Sequence, residues 1–348
     1  MANLESQVPV DVLISRALGT RSQDASISLQ QQLKTAPSAR KAAIIAALEP
    51  HVFKLSDDKH GNFLVQRAIG VDNTLAEKLR GHFVQLSLSQ FGCHVVQRIL
   101  DEPDNIKNMV VEELLAVRIE ETLVSRNSIH VWQKILSICW GPDFPDARRH
   151  LFSVVNTTMK GKWAETACQE TGSIVCQNIF ESASSDEKRD CMGEILKKLK
   201  DCAANQWGVW VVQHIVEHGD DEHRRVAFEH LLEDAVGLTL SPFGQKAITS
   251  ALKSRDKAFV GAYVDILCEQ ETGHGAGSDQ PGRRSVLVDI AGAAQGVQIV
   301  TTLLTSVQAD QRDRIIKTVR KNSVFLKGSK AGLRVHQLCE RARAFTGY

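Results

Sequence analysis

A six-residue phrase recurs through the chain and constrains its fold more than any other feature. It runs from a small residue, usually Gly, to a Gln or Thr: ASISLQ from Ala25, GNFLVQ from Gly61, GCHVVQ from Gly92, SIHVWQ from Ser128, GSIVCQ from Gly172, GVWVVQ from Gly208, GQKAIT from Gly244, GVQIVT from Gly296 and GLRVHQ from Gly332. Successive starts differ by 36, 31, 36, 44, 36, 36, 52 and 36 residues, and five equal intervals in eight mark an internal repeat. The two longest intervals contain turn-rich insertions, GPDFPD at Gly141–Asp146 and ETGHGAGSDQPGRR at Glu271–Arg284, the second of which reads as a flexible loop. Between phrases the apolar spacing is helical. Leu75, Leu79, Phe83 and Leu86 fall three or four apart, and another helix runs from Asp186 until shortly before Gly208. Each unit thus holds at least two helices, with the phrase opening the second, and stacking buries what one unit cannot. The expectation is an elongated, curved all-α solenoid.

Composition narrows the possible functions. Forty-two Lys and Arg against forty-one Asp and Glu give a net charge of +1, so only a local basic stripe, not a global field, can serve a polyanion. Eight cysteines without a CxxC pair read as reduced, mostly buried thiols, and no metal site or cofactor is expected. The start, MANLESQVPVDVLISRALG, lacks a secretory pattern, and no apolar run is long enough to span a membrane. An intracellular protein is expected. No nucleophile, acid/base constellation or phosphate loop points to an enzyme.

The phrase has a geometry of its own. Residues four apart on a helix share a face, so Asn62 and Gln66 pair, as do Cys93 and Gln97, while Leu64 with Val65 and Val95 with Val96 turn to the core. The third residue, Phe63 or His94, is rotated to the edge of that face. Two small or polar groups one turn apart can straddle the edge of a base, and a flat side chain beside them can stack between bases. Such a surface suits single-stranded RNA. Trp132 occupies the core slot of Val65 and Val96, whereas Trp210 belongs to the inner face.

GNFLVQ, GCHVVQRIL, WGVWVVQHIVEHG and GLRVHQLCERARAF resemble the Pumilio, or PUF, family of RNA-binding repeat proteins, from about Ala25 to Phe345. The resemblance implies a single Pumilio homology domain over residues 1–348, a curved right-handed α-solenoid with terminal capping half-repeats. Its eight repeats of about 36 residues would begin near residues 8, 42, 74, 109, 150, 188, 224 and 257, with a cap over about 309–348. It also implies one base per repeat, read antiparallel to the chain, with Asn and Gln selecting uracil, Cys or Ser with Gln adenine, and Ser with Glu guanine.

Carried onto this sequence, Ser26 and Gln30 imply adenine with Ile27 as stacker, Asn62 and Gln66 uracil with Phe63, Cys93 and Gln97 adenine with His94, and Ser173 and Gln177 adenine with Ile174. Two repeats keep half the pattern: Ile129 and Val209 replace the first edge reader, while His130 with Gln133 and Trp210 with Gln213 remain. Repeats seven and eight depart altogether, with Gln245, Lys246 and Thr249, then Val297, Gln298 and Thr301. No repeat carries Ser with Glu, so the expected target is a 3′ segment like A-N-A-U-A without a required UGU. Arg67, Arg98 and Lys134 are candidates for phosphate contacts or for bridges to acidic groups of neighbouring repeats.

The resemblance implies a cytoplasmic, monomeric binder of mRNA 3′ untranslated regions that acts post-transcriptionally. The divergent C-terminal repeats and the Glu271–Arg284 loop would be free for protein partners. The alternatives are a nucleolar ribosome-biogenesis RNA binder with relaxed specificity, or a helical-repeat protein scaffold.

Overall fold

The residues just ahead of each phrase set where its helix begins. The computed structural model describes residues 8–19, 22–269, 271–272 and 284–345, and each phrase starts within the first turn of a helix or on the residue before it. We label these helices α1 (Ser22–Thr35), α2 (Gly61–Ile69), α3 (Gly92–Ile99), α4 (Ile129–Leu136), α5 (Glu170–Ser182), α6 (Gly208–His218), α7 (Gly244–Lys253), α8 (Gly296–Ser306) and α9 (Lys330–Phe345). From α2 onward each is preceded by a short helix, such as Phe83–Leu88, Leu199–Ala204 or Ala235–Leu240, and before that by a first helix, such as Asp104–Ala116 or Asp221–Glu233.

From α2 onward a unit therefore has three helices, within the at least two that the sequence spacing implied. Leu75, Leu79, Phe83 and Leu86 are all buried as their spacing requires. Gly81, however, takes φ +86° and divides their segment into a 3₁₀ helix, Asn73–Leu79, and the helix Phe83–Leu88. The segment from Asp186 likewise breaks at Lys198, between Ser185–Lys197 and Leu199–Ala204. First helices begin at Val10, Ser38, Asn73, Asp104, Ala147, Ser185, Asp221 and Lys257, and that of the last unit at Ala309.

By contacts the chain divides into two compact units, Met1–Gly161 with Ile174–Cys191, and Lys162–Ser173 with Met192–Tyr348. In the first, α1 to α4 pack against one another in chain order; in the second, α6 to α9 do the same. The apolar pairs of the phrase make these stacks: Leu64 and Val65, Val95 and Val96, Val131 and Trp132, Val211 and Val212, and Ile299 and Val300 are all fully buried. Each such side chain contributes about 1.5–3 kcal/mol by leaving water.

The glycine has a steric cause. A Cβ on Gly61, Gly92, Gly208 or Gly244 would lie 2.6–2.8 Å from the carbonyl oxygen six residues earlier, on Leu55, Leu86, Cys202 and Leu238. Gly172, Gly296 and Gly332 press on Thr166, Ile290 and Leu326 in the same way. Ser128 is the informative exception, because its hydroxyl donates to the Thr122 carbonyl, again six back. A side chain is admitted there by bonding to the oxygen it would otherwise strike.

A cap accompanies the glycine. Asp58 Oδ1 accepts from the N–H groups of His60 (2.9 Å) and Gly61 (2.7 Å), Ser89 Oγ from Phe91 and Gly92 (both 3.0 Å), and Asn205 Oδ1 from Trp207 (2.7 Å) and Gly208 (3.0 Å). These residues satisfy first-turn donors that would otherwise be orphaned. Between neighbouring units, Glu113 accepts from Gly81 N (2.6 Å) and Phe83 N (2.7 Å), capping a short helix about thirty residues earlier.

The insertion Gly141–Asp146 forms irregular backbone held at both ends. Gly141 N donates to Asp104 Oδ2 at 2.7 Å. Beyond it, Arg148 donates to Glu187 Oε1 (2.9 Å) and to the Ser182 carbonyl (2.8 Å). Burial pushes the Glu187 carboxyl up, but the Ser184 N–H and the Arg148 guanidinium outweigh it and hold the group below its ordinary value. A carboxyl depressed on folding stabilises fully above its unfolded pKa, and that contribution disappears as pH falls through the lower folded value. Acid unfolding of the wild-type chain should therefore include a component that Glu187→Gln lacks, measurable as a flatter stability-against-pH curve below the ordinary carboxylate range.

Among the described residues the only strands are β1 (Glu271–Thr272) and β2 (Arg284–Ser285), antiparallel with Glu271 opposite Ser285. The remainder of the expected loop, 273–283, lies outside the described residues. All eight cysteines are free thiols.

Candidate nucleic-acid interface

Helix register puts the phrase's third residue on the surface and its neighbours inside. Ile27, Phe63, Ile174 and Trp210 are 56%, 55%, 39% and 47% exposed, although each is flanked by buried residues. His94 and His130 occupy the same position and are exposed as well. Each of these helices thus leaves one large side chain in water while burying every other apolar residue of the phrase, which gives each a flat exposed platform.

The edge pairs stand one turn apart, as spacing requires, but the first member is sunk. Ser26, Asn62, Cys93 and Ser173 are all buried, and so are their replacements Ile129 and Val209. Asn62 Nδ2 donates to the Asp58 and Lys59 carbonyls (2.9 and 3.0 Å), while Gln66 Nε2 donates to Asn62 Oδ1 at 3.0 Å. Gln30 Nε2 donates to Ser26 Oγ at 3.0 Å, and Ser26 Oγ donates to the His60 carbonyl at 2.7 Å. In α1 and α2 the first residue therefore orients its Gln from a buried position. Asn62 holds one Gln66 N–H and leaves the amide's remaining N–H and carbonyl available.

In α3 the arrangement differs. Cys93 Sγ donates to the Gln90 carbonyl at 3.6 Å, and burial pushes its thiol pKa up, so it remains a neutral donor rather than a nucleophile. Gln97 Nε2 is buried with no partner among the described residues. An unpaired buried amide costs about 1–3 kcal/mol, which an acceptor on a ligand would recover. In α4, His130 Nδ1 and Gln133 Oε1 are 2.7 Å apart.

In the second unit the platform and its Gln are engaged by the next repeat. Lys246 Nζ lies 4.6 Å from the centre of the Trp210 ring, a cation–π contact across one face. Gln213 Nε2 donates to Ser250 Oγ (2.8 Å), which donates to Glu217 Oε1 (2.7 Å). Farther on, Thr249 and Thr301 turn back and donate to the carbonyls of Gln245 (2.7 Å) and Val297 (2.6 Å) in their own helices. A shortened, self-bonded side chain cannot reach outward, so α7 and α8 offer no edge at this position.

The three basic residues after the Gln separate into two kinds. Arg98 pairs with Glu102 at 2.8 Å, and Lys134 with Asp101 at 2.6 Å and the Gln97 carbonyl at 2.8 Å, bridging adjacent repeats. Arg67 is exposed and makes no ion pair among the described residues. It lines a groove of about 540 Å³ with Gln30, Lys34, Phe63, Gln66 and Arg98, combining platform, amide edge and cations in one place. Lys34 was not evident from the phrase because it lies one turn beyond it. Asp58, Ser89 and Asn205 were also missed, yet a signal existed: Asp, Ser or Asn stands three residues before Gly61, Gly92, Gly208, Gly244 and Gly332.

A sequence model described as the Pumilio-family RNA binding repeat matches residues 51–73, 82–115, 162–196 and 201–232. Each matched segment contains a phrase with both Gly and Gln. Meiotic PUF family protein 1 of Schizosaccharomyces pombe is 30% identical over 342 residues, covering 95% of this chain and 56% of that protein. The chain belongs to the Pumilio family. Meiotic coiled-coil protein 2 of the same organism is 32% identical over 339 residues, with 95% of this chain and 46% of that protein covered, so the chain spans about half the length of these relatives. Solved Pumilio structures agree in fold. PUF-8 in complex with PBE-RNA has a TM-score of 0.78 at 20% identity and covers 98% of this chain and 96% of that one. The Puf3 RNA binding domain bound to a Cox17 RNA 3′ UTR recognition sequence has a TM-score of 0.71 at 17% identity, covering 97% and 98%. The all-α repeat fold read from the phrase is the fold of these Pumilio domains.

Proposed function

We propose that this Pumilio chain binds single-stranded RNA and reads bases with the phrase residues of its first repeats. One observation carries the reading: the third phrase residue is exposed in six consecutive repeats, as Ile27, Phe63, His94, His130, Ile174 and Trp210, each beside a Gln whose residue one turn earlier is buried. Exposed flat side chains repeated at one register suit unstacked bases. The PBE-RNA and Cox17 RNA complexes of structurally similar proteins support it.

In this reading Asn62 with Gln66 selects uracil, and Cys93 with Gln97, Ser26 with Gln30, and Ser173 with Gln177 select adenine. The repeats with Ile129 and Val209 hold a base with little choice. The target is an A-N-A-U-A-like 3′ segment of messages, bound in the cytoplasm to control their use, with UGU not required. Arg67 and Lys34 contact phosphate, while Lys134 bridges adjacent repeats and Arg98 is held by Glu102 of its own repeat.

Phe63→Ala should weaken binding to such an RNA by about 5- to 150-fold, corresponding to about 1–3 kcal/mol for one stacked base. Fluorescence anisotropy at fixed salt reads this directly. Unchanged affinity would remove the stacking role and with it the main support for the proposal.

A further inference from the structure

Charge is distributed unevenly along this nearly neutral chain. Residues 309–348 hold ten Lys and Arg against three Asp and Glu, a net of +7, so the rest of the chain, with 32 against 38, stands at −6. The fold gathers part of that excess. Arg312, Lys317, Arg320, Lys321 and Arg343 line a groove of about 1120 Å³ between the helix Ala309–Lys321 and α9, with only Asp313 and Glu340 as acids. Glu340 pairs with Arg320 at 3.2 Å. Lys317 and Lys321 are exposed, lie one turn apart and form no ion pair among the described residues. Two exposed cations one turn apart share a helix face and can meet one anion together, while the last-turn position of Lys321 also suits the helix dipole.

We propose that this groove is a second, sequence-independent RNA site that takes phosphates of the strand beyond the bases read by the phrase helices. The inference rests on the RNA-binding reading. Its position gives it a purpose: α7 and α8, the preceding helices of the same stack, offer self-bonded Thr249 and Thr301 in place of edge-reading Gln. Cations in the last unit supply affinity where base contacts have lapsed, and they do so without regard to sequence. RNA is favoured over an acidic peptide because the groove belongs to the same compact unit as α6, whose Trp210 is exposed at the third phrase position.

The test compares a short A/U-rich RNA with the same RNA extended by oligo(C) at its 5′ or its 3′ end. For the wild-type chain one extension, and not the other, should tighten binding. Lys317→Ala/Lys321→Ala, at two exposed positions without partners, should cancel that gain, leave the short RNA's affinity unchanged, and reduce the slope of log K against log salt by about 1.4, at about 0.7 per phosphate contact. Circular dichroism checks that the variant remains folded, and Lys317→Gln/Lys321→Gln repeats the comparison with side-chain length kept. If the short RNA binds but neither extension helps, the groove is not an RNA site and only this inference falls. If an oligo-glutamate peptide binds the groove more tightly than the extension does, its occupant is an acidic protein segment and the inference also falls. If even the short RNA fails to bind, the underlying reading falls with it.

Discussion

Replacing Gly208 by valine is expected to destabilise the second unit by about 3 kcal/mol, at the upper end of what overpacking costs. The Cβ alone would sit 2.6 Å from the Cys202 carbonyl oxygen and 2.9 Å from the Cys202 Cα, so backbone rather than a flexible side-chain tip must move. The displaced segment also carries the N–H groups that Asn205 caps, and those bonds would be strained together with the clash. Gly193→Ala is the matched control, because nothing lies within 4 Å of its Cβ position and it sits inside the helix Ser185–Lys197. That change should raise stability by about 0.5–1 kcal/mol through the lower entropy of the unfolded chain. Urea midpoints of both variants, followed by far-ultraviolet circular dichroism, read the contrast. Equal midpoints would mean that the recurring glycine answers to something other than the carbonyl six residues before it.

The second large effect concerns recognition. Exchanging the first readers of two repeats, Asn62→Cys together with Cys93→Asn, should exchange the preferred bases at the two corresponding RNA positions, adenine for uracil and uracil for adenine. Both sites are buried and both partners are Gln, so the exchange leaves the platforms Phe63 and His94 and the apolar pairs behind them untouched. It changes which of the Gln N–H and carbonyl groups is held inside the protein, as Asn62 Oδ1 now holds Gln66 Nε2 while Gln97 Nε2 has no partner. A mismatched edge leaves a buried polar group unpaired, worth about 1–3 kcal/mol at each position. Binding to RNAs differing only at these two bases measures the result.

The repeat and the exposure of its third residue were legible in the sequence because both depend on register within one helix. Periodicity places Phe63, His94 and Trp210 on the surface whatever the neighbouring units do. Trp132, assigned to the core because it occupies the slot of Val65 and Val96, is fully buried for the same reason. What escaped depends on turns or on contacts between units. The split of the Leu75–Leu86 segment follows from Gly81 at positive φ, which an unbroken apolar spacing conceals. The burial of Asn62 and Cys93, the cover that Lys246 lays over Trp210, and the tie from Gln213 to Ser250 each involve packing that local spacing does not encode. Glu102, by contrast, lies one turn from Arg98 and could be paired with it by spacing alone, whereas Lys134 meets Asp101, 33 residues away, only through the stacking of adjacent repeats.

The most direct measurement of the central claim is selection from a random RNA pool with the wild-type chain, repeated with Gln97→Ala. The account predicts an enriched A-N-A-U-A-like segment without obligatory UGU, and a preference for adenine that fades at a single position in the variant. No enrichment at moderate salt, or a motif in which UGU is indispensable, would contradict it.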